Sequence, residues 1–378
     1  MSKLAKLTAL AGASALVLAG CAANEATTTP SATSSDSTST STEETTAPAL
    51  SGTLDGSGAS SMAAGQEAWV AAFQELNPGV TVNYNPTGSG TGRDQFEEGL
   101  TFFTGSDSSF KDEELATPHP NCSPADGAVF EFPVWISPIA VFFNLDGIDS
   151  LNMTPATIAG IFTNQITNWN DAAIAADNPG VALPDLAITP VFRSDESGTT
   201  ANFTDWLAKA APNAWVKDGA NVGSIEEWPF LGEGAQGTSG VVAAAAAGNG
   251  TIGYADASRV GDFGTVAVGV GNQFVPFSPE AAAKIVDVSS IKPGRPDTTV
   301  AYDLARDTAE AGVYPVVLVS YLQGCMDYAD DAMAELVKAY AGFIISEEGQ
   351  NVAAAAAGNA PISQATREIA QAILDQVQ

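Results

Sequence analysis

The chain has 378 residues, 14 of them Lys or Arg against 44 Asp or Glu, a formal net charge of −30. Such a charge argues against nucleic acid or an anionic lipid surface as partner. With three scattered cysteines and one histidine, the sequence shows no zinc site and no Ser-His-Asp triad; His119, between Pro118 and Pro120, reads as a surface or loop residue.

Lys3 and Lys6 precede an apolar stretch, Leu7 to Leu18, interrupted by Thr8 and Ser14. It is too short to span a bilayer and reads as the core of a signal peptide, residues 1–20. The stretch ends in Leu18-Ala19-Gly20-Cys21, which resembles the lipobox of bacterial lipoproteins. That resemblance implies cleavage before Cys21 and acylation of its sulfur and amine, a durable anchor. Residues 21–49 carry Thr, Ser, Ala and Glu with almost no large apolar side chain, the composition of a disordered tether. As a flexible coil, some 30 residues span roughly 30 Å. Losing Lys3 and Lys6 with the leader leaves 12 basic against 44 acidic residues, −32. Two cysteines besides Cys21 remain, Cys122 and Cys325; in an oxidising compartment they can pair, or stay two buried thiols.

The remaining 330 or so residues suffice for two domains of ordinary size and alternate strand with helix, an α/β pattern. Thr53 to Gly56 predicts a strand, Met62 to Leu76 a helix stopped by Asn77-Pro78-Gly79, and Val80 to Tyr84 a second strand. A Gly-rich loop follows at 86–92, then a helix to about Phe103 and a small-residue loop. Phe130 to Phe143 is apolar and aromatic, as in buried strands. Helical segments around 154–162 and 170–177 lead to a strand at Leu186 to Arg193, and a further helix runs through Trp206.

Four loops share one design, a strand end, a run of Gly and hydroxyl residues, then a helix start. They are Gly56 to Ser61, Thr87 to Gly92, Thr104 to Ser108, and Ser194 to Thr199. A helix N-terminus offers free N–H groups and the positive dipole end, an anion site. Glycine lets the backbone approach, and hydroxyls add donors. Each loop alone is more often a helix cap than a ligand site; repetition carries the argument, with two charged residues. Arg193 has the planar fork that suits an oxyanion, or else pairs with Asp195. Asp107 is an acid among anion donors, or else an ordinary cap.

Arg193 followed by Ser197-Gly198-Thr199 resembles the signature of the PstS-type phosphate-binding proteins of the high-affinity phosphate ABC transporter. Gly-Ser-Gly-Ala-Ser-Ser at 56–61, Gly88-Ser89-Gly90 and Gly105-Ser106-Asp107 are similar to that family's other loops. Glu131-Phe132-Pro133, Ile166 to Asn170, Asn178-Pro179-Gly180, Ile188 to Arg193 and Gly250 to Tyr254 match in family order, from about Leu50 onward. The resemblance implies a two-lobed type II periplasmic-binding-protein fold with a central cleft and two hinge crossings, near Val134–Trp135 and Tyr314–Pro315. Lobe 1 would be 50–134 plus 315–378, and lobe 2 would be 135–314, with both cysteines in lobe 1. It implies ligand contacts at Ser60, Ser61, Ser89, Asp107, Arg193, Ser197, Gly198 and Thr199. Ser60 stands in place of a Thr and keeps a hydroxyl; Ser61 replaces a Phe that binds through its N–H.

These expectations describe a monomeric protein without cofactor, anchored on the extracytoplasmic face of a bacterial membrane. It would hand inorganic phosphate to the permease and ATPase subunits of an ABC transporter. Phosphate near neutral pH carries a proton that Asp107 can accept; sulfate carries none and meets an uncompensated charge. The alternatives are a binding protein for another oxyanion, such as sulfate or molybdate, a secreted phosphatase on the same scaffold, or an adhesin or phosphate sensor without transport.

Overall fold

A computed structural model describes residues 49–124 and 127–378. The leader, Cys21 and nearly all of the tether lie outside the described residues. The first segment alternates β1 (Gly52–Gly58), α1 (Ala63–Leu76), β2 (Val80–Asn85), α2 (Ser89–Glu97) and β3 (Phe103–Ser106), with β1 parallel to both β2 and β3. α1 buries Gln66, Trp69 and Phe73 on one face, at the spacing helical geometry requires.

Two expectations change here. The helix predicted to reach Phe103 ends at Glu97, because Gly99 at φ 73° closes it in the left-handed conformation. Thr104-Gly105-Ser106, expected as a loop, is strand, paired with β1 on one side and with 317–325 on the other. Pairing on both edges overrides the weak strand propensity of these small residues.

A short α3 (Asp112–Leu115) leads to β4 (Val129–Asn144), buried at 15 of its 16 positions. Such a continuous apolar run suits a strand covered on both faces. β5 (Ser150–Met153), α4 (Pro155–Phe162), α5 (Ala172–Asp177), β6 (Thr189–Arg193) and α6 (Gly198–Ala210) follow. Two short strands, β7 (Val216–Lys217) and β8 (Ala220–Asn221), precede β9 (Glu233–Ala235), α7 (Gly237–Ala246) and β10 (Thr251–Asp256). Next come β11 (Gly264–Val270), β12 (Gln273–Val275), α8 (Pro279–Asp287) and the pair β13 (Ser290–Ile291) and β14 (Tyr302–Asp303). β15 (Val317–Cys325) returns the chain to the first half, and α9 (Asp331–Ile345), α10 (Glu347–Ala357) and α11 (Gln364–Leu374) complete it.

One curled sheet runs in the order β2-β1-β3-β15-β4-β10-β6-β9, with β11 on β4 and β5. Its centre is the antiparallel pair β4 and β15, Val129–Pro138 against Val317–Cys325. Two large apolar cores flank that pair, one around Trp69, Phe103, Trp135 and Tyr340, the other around Trp169, Trp206, Tyr254 and Tyr314. The architecture is therefore α/β and two-lobed, as expected.

Along β4, core membership changes between Ile136 and Ile139; along β15, between Tyr321 and Leu322. The second change lies beyond the expected Tyr314–Pro315. Tyr314 is held in the second core, where its hydroxyl donates to the Ile139 carbonyl at 2.8 Å.

A disulfide joins Cys122 and Cys325 within the first core. His119, expected as a surface or loop residue, does lie in a loop, but it is buried at 1% exposure against Phe96, 4.9 Å between ring centroids. Neither ring nitrogen has a hydrogen-bond partner, and burial lowers its pKa. The prolines on either side exclude helix without dictating where the ring points. Among the described residues, no helix is long and apolar enough to cross a membrane.

Candidate functional site

The Gly and hydroxyl loops converge where strands of both halves end and helices begin. The turn Ser60–Met62 leads into α1, Ser89 opens α2, Gly198 opens α6 and Gly237 opens α7. Away from this point helices start on side-chain caps, such as Thr154 for α4, Ser278 for α8, Asp330 for α9, Ser346 for α10 and Ser363 for α11. α1, α2 and α7 have no such cap. No side chain of the preceding loop takes their first N–H groups, which carry the positive dipole end; at α7 those of Gly237 and Thr238 go to Asp195 and Ser60 across the site. Ser60, Ser61 and Ser89 are thus not the caps that loops of this kind usually supply. Ser197 is one, accepting from the Thr200 N–H at 3.1 Å.

Asp107 lies at the centre, 3% exposed. Its oxygens accept from Ser61 Oγ, 2.8 Å to each, from Thr199 Oγ1 at 2.9 Å and from Ser320 Oγ at 2.7 Å. Its own N–H donates to Ser89 Oγ at 3.1 Å, and its carbonyl accepts from Asn202 Nδ2 at 2.7 Å. Burial raises its pKa, against the opposing pull of the hydroxyls of Ser320, Ser61 and Thr199 and the charge of Arg193. Asp107 is not a helix cap. It is a carboxylate suspended on hydroxyls from three parts of the fold.

Of the two alternatives drawn from the sequence for Arg193, the structure shows the pair with Asp195 and leaves room for the other. Its Nε donates to Asp195 Oδ1 at 2.8 Å and its Nη2 to Asp195 Oδ2. Its Nη1 lies 3.4 Å from Thr199 Oγ1. One edge of the guanidinium is thus fixed by Asp195, and the terminal edge remains for an oxyanion. Asp195 also accepts from the Gly237 N–H at 3.0 Å; burial alone would raise its pKa, but Arg193 lowers it. Gly198 marks the closest approach, since a Cβ there would lie 2.5 Å from Ser89 Oγ and 2.7 Å from Asp107 Cβ.

Ser61, Ser89, Asp107, Arg193, Gly198 and Thr199 therefore form one linked group. Ser60 turns away to Thr238, Oγ to Oγ1 at 3.1 Å, and accepts from the Thr238 N–H at 3.1 Å. Sequence reasoning missed Thr238, Asn202 and Ser320. For Thr238 a signal existed: Gly237-Thr238-Ser239-Gly240 follows a strand and opens a helix, like the four loops that were recognised. Asn202 and Ser320 lie within a helix and a strand, and nothing in their neighbourhood distinguishes them. A neighbouring cavity of about 660 Å³ is lined by Asp107, Asn202 and Glu226 among others, but by none of the other residues predicted to bind ligand.

A family model described as the PBP superfamily domain matches residues 27–348. Phosphate-binding protein PstS 3 of Mycobacterium leprae is 35% identical over 298 residues, 76% of this chain and 77% of its own. PstS 3 of Mycobacterium tuberculosis H37Rv is 35% identical over 294 residues, with the same shares. Among solved structures, the high-affinity periplasmic phosphate-binding protein PfluDING, with phosphate bound, superposes with a TM-score of 0.66 at 20% identity, over 85% of this chain and 93% of its own. A phosphate-binding protein from Stenotrophomonas maltophilia gives 0.64 at 20% identity, over the same shares. At that identity the structural likeness concerns the fold.

Proposed function

The chain belongs to the PstS family of phosphate-binding proteins, and from that premise we infer that its interlobe cleft binds inorganic phosphate for an ABC-type phosphate permease. The observation that carries this reading is the buried Asp107 amid hydroxyl donors beside the free edge of Arg193.

A carboxylate offers about four acceptor sites, and the hydroxyls of Ser61, Thr199 and Ser320 occupy most of them. Hydroxyl hydrogens rotate. When a protonated phosphate oxygen donates to Asp107, Ser61 and Thr199 can turn their hydrogens to the ligand's bare oxygens. Arg193, Ser89 and the N–H groups of α1, α2 and α6 supply the other donors. Sulfate has no proton to donate, so Asp107 faces it as uncompensated buried charge, a cost of at least about 1–3 kcal/mol. The contact set is Ser60, Ser61, Ser89, Asp107, Arg193, Ser197, Gly198 and Thr199, with Ser60 acting through its backbone and Ser197 through its hydroxyl hydrogen, since its N–H is held by the Glu226 carbonyl. This resolves how a protein of net charge −30 binds an anion: aimed short-range donors do the work, not the overall field.

The lobes proposed are 50–134 plus 315–378 and 135–314, hinged along β4 and β15. The protein acts as a monomer, by binding rather than turnover, held outside the membrane through acylated Cys21. Calorimetry of the body from residue 50 onward with phosphate, sulfate and arsenate tests the reading. Tight phosphate binding with weak sulfate binding is expected. Absence of phosphate binding, or steady hydrolysis of a phosphate monoester, would overturn it.

A further inference from the structure

We propose that Glu226 is a latch residue: it clamps the second lobe onto Arg93 and Lys111 of the first and so sets how slowly bound phosphate leaves. The proposal rests on the phosphate reading above.

Arg93 lies in α2, 1% exposed, and its own lobe fixes it, through Glu114 Oε1 to Nε at 2.9 Å and Ser106 Oγ to Nη1 at 3.0 Å. Its remaining nitrogen, Nη2, reaches across to both carboxylate oxygens of Glu226, at 3.1 and 2.9 Å. Glu226 belongs to the other lobe, where its neighbours Ile225 and Trp228 pack on the second core. From the first lobe it also receives Ser108 Oγ at 2.7 Å and Lys111 Nζ at 3.2 Å. Three donors from one lobe thus converge on one carboxylate of the other. Burial alone would raise the Glu226 pKa, but Arg93, Ser108 and Lys111 hold it at about 2.

Two contacts connect this clamp to the ligand loops. The Glu226 carbonyl accepts from the Ser197 N–H at 3.2 Å, at the start of α6, and the Gly90 N–H donates to the Glu196 carbonyl at 3.2 Å. Opening the cleft must break the clamp, and breaking it frees the start of α6. Neither Glu226 nor Arg93 need touch the ligand, so they are positioning residues. The Arg259–Glu67 pair is a control of a different kind, 4.0 Å apart with Glu67 77% exposed.

Stopped-flow phosphate binding and small-angle scattering, with and without phosphate, test the proposal on wild type, Glu226→Gln, Lys111→Met and Glu67→Gln. Glu226→Gln is nearly isosteric; losing charged hydrogen bonds should weaken phosphate binding about tenfold, almost all in the dissociation rate. Lys111 is partly exposed, so Lys111→Met should fold normally, release phosphate faster and reduce the salt dependence of the dissociation rate. Glu67→Gln should match wild type. The variants should also compact less completely on adding phosphate. A wild type that does not bind phosphate would sink the functional reading itself. A wild type that binds, with Glu226→Gln and Lys111→Met releasing phosphate at its rate, would overturn the latch alone.

Discussion

Ser61 donates its hydroxyl to both oxygens of Asp107, 2.8 Å to each. Its hydroxyl thus serves the acid proposed to read the ligand's proton, while its backbone N–H is the donor expected to meet the ligand. Selectivity then depends on the acid staying charged. In Asp107→Asn the acceptor charge is gone, and the preference for phosphate over sulfate should shrink by about tenfold or more. Because burial raises the Asp107 pKa, acidification should narrow the wild-type preference too, as the carboxyl gains its proton and stops repelling sulfate. Competition titrations at several pH values check both; an unchanged preference in the Asn variant would remove the filter.

Arg193 should matter to every oxyanion alike. Arg193→Ala takes away the terminal guanidinium edge and leaves Asp195 buried without its cation. Weakening of phosphate and arsenate binding by about 30-fold or more is expected, without a change in their ratio. Calorimetry with both anions measures it.

Gly198→Ala tests lobe closure sterically. The added methyl would meet Ser89 Oγ at 2.5 Å and Asp107 Cβ at 2.7 Å. Overpacking of this kind costs about 1–3 kcal/mol, here in the closed state, so phosphate affinity should fall about tenfold or more while the unliganded melting temperature changes little. Paired titration and thermal unfolding distinguish this from general destabilisation.

Asp256 predicts a pH dependence of stability. It is fully buried, and burial pushes its pKa up to about 6 from an ordinary 3.8, against hydrogen bonds from Ser258. Between those values the folded protein holds a proton that the unfolded chain has lost. Folding is therefore favoured below that window and loses the advantage as pH rises through about 6. Asn can cap the turn at Ala257–Arg259 as Asp does. Asp256→Asn should be more stable than wild type by about 2–3 kcal/mol at pH 8, a difference that vanishes near pH 4. Urea unfolding across that range measures it.

The chemistry of the cleft was legible because it is written in local runs. A strand end, glycines, hydroxyls and a helix start lie within six residues, and periodicity and turn chemistry report such features directly. That is why Ser61, Ser89, Arg193 and Thr199 could be singled out, and the structure brings them together around Asp107. Thr238 was missed although its loop has the same form. Asn202 and Ser320 had no local signal at all, since their role depends on which strand and helix face Asp107 from a distance.

By itself the sequence determined the alternation of strand and helix, the Gly and hydroxyl loops, the acid at 107 and the cation at 193. These follow from short-range preferences that a single sequence displays directly. The tertiary structure decided the partners. It put the Arg193 fork on Asp195, hung Asp107 on Ser61, Thr199 and Ser320, buried His119 among aromatic rings, and brought Glu226 to Arg93 across 133 positions of chain. Contacts at such separations depend on how the two lobes pack around β4 and β15, and a single sequence carries no local mark of that packing.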